Sequence, residues 1–169
     1  MRNSELAGAR VMVVDDSNTI RRSAEIFLQQ AGCEVFLAQN GFEALAVAEQ
    51  RLDLIFVDIL MPRLDGYQTC ALLRKSARHR ATPIVMLSSK DGIFDRAKAR
   101  MVGFDRYLAK PFTKAALVEV VKDASNATLA QAGNRASTRD AGMSALSASV
   151  TMSTRIVSPS IRASTPSTL

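Results

Sequence analysis

Two patterns of apolar residues alternate along the first 124 positions of the chain. Short runs of mostly apolar residues are separated by longer stretches in which apolar side chains recur every three or four positions. The short runs predict β-strands, and the longer stretches predict amphipathic helices. The predicted strands cover residues 11–14, 33–38, 54–57, 84–87 and 105–109, and the predicted helices cover 17–31, 41–49, 67–77, 92–101 and 113–124.

The order and composition of these elements predict an α/β fold. Five strands alternate with five helices, which is typical of parallel sheets. The strands at 11–14, 54–57 and 84–87 are apolar at every position, as expected for strands that helices cover on both faces. Ser17 and Gly32 stand where the cap residues of the first helix are expected. In such a sheet the functional crevice lies beyond the carboxyl ends of the strands.

Polar and charged residues end four of the five predicted strands. The first strand ends at Asp15 and Asp16, the third runs into Asp58, the fourth ends at Ser88 and the fifth at Lys110. These groups are therefore expected at one rim of the sheet. Two like charges 4 Å apart repel by about 4 kcal/mol at an effective dielectric constant of about 20. The cluster therefore calls for a cation or for raised pKa values, and Lys110 together with Mg²⁺ balances three carboxylates.

Simpler roles exist for some of these residues. Asp15 and Asp16 are also suited to capping the first helix, and Lys110 is also compatible with an ordinary surface lysine. Asp58 is harder to explain in this way, because it interrupts an apolar run from Leu54 to Leu60. A charge in such a run is unfavourable unless it is paired or used.

Composition divides the chain near residue 124. The net charge is +6, of which residues 1–124 carry +3 and residues 125–169 carry +3 from four arginines and Asp140. The second segment contains 10 Ser, six Thr and eight Ala but no aromatic residue. It lacks the apolar surface needed to offset the entropy of ordering. We therefore predict a disordered Ser/Ala/Thr-rich tail over 125–169 and a nearly neutral globular domain before it.

Cysteine and histidine content excludes several kinds of site. Cys33, Cys70 and His79 are the whole set, too few for a conventional zinc site. Two apolar-flanked cysteines favour small core residues in a reducing compartment. The first apolar run, 11–14, is too short for a signal peptide, and no run is long enough for a membrane span. These observations predict a cytoplasmic protein.

Five short segments of the chain carry a resemblance to known proteins. They are Val-Val-Asp-Asp-Ser at 13–17, Val-Asp-Ile-Leu-Met-Pro at 57–62, Asp-Gly at 65–66, Ser-Ser at 88–89 and Tyr-Leu-Ala-Lys-Pro-Phe at 107–112. Together they resemble the receiver domain of bacterial two-component response regulators, over about residues 9–124. The longer stretches 56–72 and 86–92 are similar to the single-domain receivers of twitching-motility, type IV pilus chemosensory pathways. The resemblance implies a (βα)5 flavodoxin-like (CheY-like) fold, a doubly wound parallel five-stranded sheet.

The resemblance also implies a chemistry for the rim of the sheet. Asp58 would accept a phosphoryl group from a phosphohistidine of a chemosensory-type histidine kinase, giving an aspartyl phosphate. Lys110 would pair with a phosphoryl oxygen, and its bond to Pro111 is often cis in the family. The hydroxyl of Ser88 would move toward the phosphoryl group and vacate space for Tyr107. Mg²⁺ would be held by Asp15, Asp16, Asp58 and the backbone carbonyl of Leu60.

The implied output is a change at one face of the domain. The fourth helix, fifth strand and fifth helix would repack and recruit a protein effector such as the pilus motor machinery. The domain would promote its own phosphorylation and slow dephosphorylation, but it is a signalling protein rather than an enzyme. The residues expected on this face are Ile93, Phe94, Arg96, Arg100, Arg106 and Tyr107.

Two other functions compete with the phosphorylated receiver. The first is a receiver-fold scaffold that binds partners without phosphorylation, although the acidic pair, the acceptor and the lysine are all retained. The second is a nucleic-acid regulator, suggested by the basic charge. The tail carries only four scattered arginines and no helix-turn-helix pattern, so we expect no specific nucleic-acid partner.

Overall fold

The computed structural model describes residues 6–89 and 96–130, and nine of its elements have these bounds. The strands are β1 (Arg10–Val14), β2 (Glu34–Ala38), β3 (Leu54–Asp58), β4 (Ile84–Ser89) and β5 (Arg106–Lys110), and the helices are α1 (Asn18–Gln30), α2 (Gly41–Val47), α3 (Gly66–Lys75) and α4 (Arg96–Val102). A last helix, α5, covers 114–130. No described helix is both long enough and apolar enough to cross a membrane.

The five strands form one parallel sheet in the order β2-β1-β3-β4-β5. This confirms the predicted (βα)5, doubly wound α/β fold. Successive residues of β1 point to opposite faces, so that Met12 and Val14 belong to one apolar cluster and Val11 and Val13 to the other. The strands are therefore buried on both faces, which explains their uninterrupted apolar sequence.

The two apolar clusters assign the helices to the two faces of the sheet. Leu73 of α3 and Ala44 of α2 pack in the Met12 cluster, while Leu28 of α1 and Leu117 of α5 pack in the Val11 cluster. The end signals of α1 are confirmed, since the Ser17 hydroxyl accepts a hydrogen bond from the Ile20 N–H and Gly32 has a φ of 96°.

Some element ends differ from the predicted ones. Helix α2 ends at Val47 rather than at Glu49, and α5 continues through residue 130 rather than ending at Ala124. The boundary predicted at residue 124 thus falls inside a helix. Lack of aromatic residues prevents a stretch from forming a core, but residues 125–130 contain no Gly or Pro that would end a helix already started. The predicted tail residues 131–169 lie outside the described part of the chain.

An arginine of α3 joins three segments at the amino ends of the last two strands. Arg74 donates hydrogen bonds to the carbonyl oxygens of Thr82 at 2.5 Å and Gly103 at 2.7 Å, and it forms an ion pair with Asp105 at 2.6 Å. The same Asp105 oxygen accepts the N–H of Ile84, the first residue of β4. The starts of β4 and β5 are therefore fixed to α3 through one guanidinium group.

Candidate functional site

Three aspartates meet at the carboxyl ends of β1 and β3. Asp15 and Asp16 follow β1 directly, and Asp58 is the last residue of β3. Because β1 and β3 are adjacent and parallel, their ends lie side by side. One carboxylate oxygen from each aspartate lies within 4.8 Å of the others. Asp15 and Asp58 are buried and Asp16 is exposed, so this acidic cluster opens to solvent on the Asp16 side.

Lys110 brings a positive charge into the acidic cluster. Its Nζ lies 2.9 Å from Asp15 Oδ2 and 3.0 Å from Asp58 Oδ1. Lys110 is the last residue of β5, and β4 separates β5 from β3, so its long side chain reaches across the end of β4. The Lys110–Pro111 peptide bond is cis, the form that the family resemblance implied.

Asp15 is held by contacts that the sequence did not suggest. Its second carboxylate oxygen accepts the Ser17 N–H at 2.9 Å, and its backbone carbonyl accepts a hydrogen bond of 2.6 Å from the guanidinium of Arg21. Arg21 also donates to the side chain of Asn18. An arginine placed on the first turns of the helix that follows the Asp pair is the signal that could have indicated this role.

Burial and charge shape the acid–base behaviour of the site. Burial, followed by repulsion from Asp15, raises the pKa of Asp58 to about 6, against the lowering effects of Lys110 and of a hydrogen bond from the Leu60 backbone. Burial disfavours the charged form of Lys110, but hydrogen bonds to Asp15 and Asp58 outweigh it and raise the pKa of Lys110. The Asp58 carboxylate is therefore poorly stabilised by the protein alone, whereas the ammonium is firmly charged.

The donor set of the acidic cluster fits a hard divalent cation. Three carboxylates and one ammonium leave two uncompensated negative charges, two of the carboxylates being buried. Mg²⁺ prefers oxygen ligands and is commonly bound by one or two protein carboxylates together with water and phosphate oxygens. The open Asp16 side of the cluster leaves room for such additional ligands.

A glycine allows the Asp58 end of β3 to pack against α3. A Cβ on Gly66 would overlap the Asp58 carbonyl oxygen and lie 2.8 Å from the Ile59 Cα. The Gly66 N–H donates to the Ile59 carbonyl at 3.0 Å. Asp65, just before it, caps α3 in a reciprocal capping box with Gln68. The Asp-Gly pair thus fixes the segment that follows Asp58.

The remaining predicted site residues lie at or near the same end of the sheet. Ser88 is buried in β4, one residue past Leu87, the register partner of Asp58, and its hydroxyl donates to the Ser89 carbonyl at 3.1 Å. The strand was predicted to end at 87, so Ser88 lies within β4 rather than after it. The Leu60 backbone lies next to the Asp58 carboxylate, while the Leu60 side chain is 60% exposed.

The predicted output face is described in part. Tyr107 of β5 is 48% exposed, and Arg100 of α4 is exposed. Arg106 pairs with Asp123 of α5 at 2.7 Å, which joins β5 to that helix. Ile93, Phe94 and the side chain of Arg96 lie outside the described part of the chain.

A family model for the response regulator receiver domain matches residues 11–122. The chain therefore belongs to the receiver-domain response regulators, signalling proteins of two-component systems in which phosphorylation of an aspartate is general. The chain is 57% identical to Protein PilG of Pseudomonas aeruginosa over 116 residues, covering 68% of this chain and 86% of that protein. It is also 40% identical over 104 residues to the response regulator MprA of a Mycobacterium species, but spans only 44% of that protein.

Solved structures show the same fold. The chemotaxis protein CheY4 of Vibrio cholerae aligns with a TM-score of 0.66 and 35% identity, covering 70% of this chain and 99% of that one. The receiver domain of the sensor histidine kinase PA1611 from Pseudomonas aeruginosa aligns with a TM-score of 0.64 and 33% identity, covering 69% and 97%. That structure contains a magnesium ion coordinated in its active-site cleft.

Proposed function

We propose that this response regulator accepts a phosphoryl group on Asp58 from the phosphohistidine of a histidine kinase. The observation that carries the proposal is the position of the Asp58 carboxylate, buried at the end of β3, beside Asp15 and Asp16 and 3.0 Å from the ammonium of Lys110. The retained lysine and the complete acidic cluster favour this function over a receiver-fold scaffold that is never phosphorylated.

The transfer replaces a phosphorus–nitrogen bond by a phosphorus–oxygen bond. A carboxylate oxygen of Asp58 attacks phosphorus, and the bonding pair remains on the imidazole nitrogen, which is protonated from solvent. The Oδ1 atom of Asp58 is engaged by Lys110, so Oδ2 is the oxygen we assign as nucleophile. With a pKa of about 6, Asp58 is mostly ionised at neutral pH and is more nucleophilic than a fully stabilised carboxylate.

The other residues of the site stabilise the charge of the phosphoryl group. Lys110 would transfer one of its contacts from Asp58 to a phosphoryl oxygen, and Ser88 would donate its hydroxyl to another. Asp15, Asp16, Asp58 and the carbonyl of Leu60 would hold Mg²⁺, which supplies charge neutralisation at the phosphoryl oxygens. The same groups would support self-phosphorylation by small phosphodonors and slow hydrolysis of the product.

The signal would leave through the face formed by α4, β5 and α5. When Ser88 turns toward the phosphoryl group, the half-exposed Tyr107 would move inward and change the surface seen by a protein effector. The ion pair between Arg106 and Asp123 would carry the change in β5 to α5. A shift from 1:99 to 99:1 between two states needs about 5.5 kcal/mol of differential stabilisation, so most new phosphoryl contacts must favour one state.

The pathway that we propose is a chemosensory pathway controlling type IV pilus twitching motility. The identity of 57% with PilG supports this assignment, as does the high coverage of both chains. The donor would be a chemosensory-type histidine kinase, and the effector would belong to the pilus motor machinery. In this proposal the protein acts in the cytoplasm.

Phosphorylation of the purified chain by acetyl phosphate tests the acceptor assignment. We expect acid-labile phosphate on the parent protein with Mg²⁺ and none on Asp58→Asn, because the amide is not a nucleophile. Glu34→Gln is the matched control, since it removes an exposed carboxylate of β2 that has no role in the proposed site or output face. Undiminished labelling of Asp58→Asn would contradict the assignment of Asp58 as the phosphoryl acceptor.

A second arm of the same experiment tests the role of the acidic cluster. We expect excess EDTA to suppress labelling of the parent and millimolar Mg²⁺ to restore it, because the uncompensated charge repels the incoming phosphoryl group. Labelling that proceeds at full rate in EDTA would contradict a magnesium-dependent site. An unlabelled parent at every Mg²⁺ concentration and with histidine kinase phosphodonors would favour the scaffold.

A further inference from the structure

A second concave site lies at the opposite end of the sheet from the acidic cluster. Its walls come from the segments that precede the strands: Ala9 before β1, Leu52 and Asp53 before β3, and Pro83 before β4. The last turns of α5 close one side. The cavity has a volume of about 590 Å³, within the range of roughly 300–1,000 Å³ found for small-molecule sites. We call it the basal cavity.

The walls of the basal cavity are mainly apolar. Leu6, Leu52, Pro83 and Leu129 contribute aliphatic surface. His79 also lines the cavity, but both of its ring nitrogens lie within hydrogen-bond distance of protein groups, at 3.1 Å from the Thr82 hydroxyl and 2.7 Å from the Ala48 carbonyl. The cavity is therefore suited to an apolar part of a ligand.

The charged groups of the basal cavity favour an anion. Arg51 and Arg78 line it, and within residues 6–89 and 96–130 neither guanidinium forms an ion pair. Arg78 donates one hydrogen bond to the Glu49 carbonyl, which orients the side chain without neutralising it. The lining also contains one acidic residue, Asp53, whose carboxylate accepts the Arg10 backbone N–H at 2.8 Å, and the two arginines outweigh its negative charge.

We propose that the basal cavity binds a small organic phosphate, with its apolar part against the aliphatic walls and its phosphate on Arg51 and Arg78. Guanidinium groups form paired, charge-assisted hydrogen bonds with phosphate oxygens, and two of them on one cavity supply both charge and direction. The exposed Lys75 and Arg80 lie on the same α3–β4 segment and add to the positive potential. A bound ligand would give the domain an input separate from Asp58.

Nuclear magnetic resonance titration of the full chain tests the proposal. The probes are AMP, phenyl phosphate, adenosine and inorganic phosphate, each added to millimolar concentration in EDTA. We expect AMP or phenyl phosphate to shift the amide signals of Leu52, Thr82 and Thr128 at the cavity. Adenosine and inorganic phosphate should each bind at least about 10-fold more weakly. Adenosine lacks the phosphate that the arginines would bind, and inorganic phosphate lacks the apolar part that would contact the aliphatic walls.

Substitution of the two arginines distinguishes binding at the basal cavity from non-specific attraction to a positively charged surface. The double variant Arg51→Gln with Arg78→Gln should weaken binding by at least about 10-fold, and Arg80→Gln, outside the cavity lining, should leave it within about 2-fold. Phosphorylation of Asp58 by acetyl phosphate should be unchanged in both variants, so a negative result at the basal cavity is distinct from failure of the acceptor assignment. The proposal is overturned if neither organic phosphate shifts the cavity signals, if inorganic phosphate binds equally well, or if Arg80→Gln has the larger effect.

Discussion

The buried carboxylate of Asp58 should destabilise the metal-free protein at neutral pH, and Asp58→Asn isolates that effect. The folded protein raises the pKa of Asp58 from 3.8 to about 6. Between these two pH values the folded state binds more protons at this position than the unfolded chain does. The free energy of unfolding therefore decreases as the pH rises through this window, and the decrease is complete above the folded-state pKa.

The size of the effect follows from the pKa shift. One pKa unit corresponds to 1.36 kcal/mol, so a shift of about two units predicts a loss of about 3 kcal/mol between pH values below 3.8 and above about 6. Asparagine stays neutral and does not experience this loss. Repulsion from Asp15 is one of the causes of this shift and is therefore already included in the figure of about 3 kcal/mol. The variant should thus gain stability relative to the parent as the pH rises.

Urea unfolding in EDTA, at pH values from about 4 to about 8, measures this difference. The unfolding free energy of the parent is subtracted from that of Asp58→Asn at each pH. The pH-dependent contributions of the carboxylates that both proteins share then cancel. Asp123→Asn serves as the control, because it removes an exposed carboxylate that is paired with Arg106. The difference in unfolding free energy between this control and the parent should change by less than about 1 kcal/mol over the same pH range.

The reasoning is refuted if the unfolding free energy of Asp58→Asn minus that of the parent stays constant with pH or becomes smaller as the pH rises. Addition of Mg²⁺ at neutral pH provides an independent check. A cation that binds only the folded acidic cluster stabilises the parent by mass action. The increase in the midpoint of unfolding should be larger for the parent than for Asp58→Asn, which lacks one of the three carboxylates.

Two further substitutions test the packing around the sheet. Gly66→Ala places a Cβ against the backbone of residues 58–59. It should lower the unfolding free energy by about 1–3 kcal/mol and also slow labelling by acetyl phosphate. Unchanged values for both would contradict the close approach of the two backbones. Arg74→Lys keeps the positive charge but loses the several N–H donors of the guanidinium, and it should lower the unfolding free energy by about 2 kcal/mol. The control Arg22→Lys, on the surface of α1, should change the unfolding free energy by less than about 0.5 kcal/mol. Equal effects of the two substitutions in urea unfolding would argue against the Arg74 contacts.

Much of the site could be predicted because its residues are tied to strand ends. In a parallel sheet all carboxyl ends lie at one edge, so the sequence predicts that Asp15, Asp58 and Lys110 lie together, as their contacts show. The apolar runs of β1, β3 and β4 were equally informative, since strands buried on both faces carry no alternation. Asp58 was conspicuous because a buried charge needs a partner.

Other features depend on tertiary contacts that no local pattern encodes. The hydrogen bond from Arg21 to the Asp15 carbonyl and the contacts of Arg74 with Gly103 and Asp105 join residues whose spacing in sequence gives no indication of them. The end of α5 was misplaced for a different reason. Composition indicates whether a stretch can form a core, but a helix that is already started continues until a residue or a lost contact ends it.

The clamp formed by Arg74 has a mechanical consequence for β4 and β5. The segments just before both strands are fixed to α3, while the other ends of the strands carry Ser88 and Lys110. In addition to the hydrogen bonds of the sheet, the start of each strand is therefore restrained by these contacts, and the carboxyl end lies farthest from that restraint. Hydrogen exchange along these strands should show the slowest amides near Ile84 and a progressive increase in rate toward the tip, a gradient that Arg74→Lys should flatten.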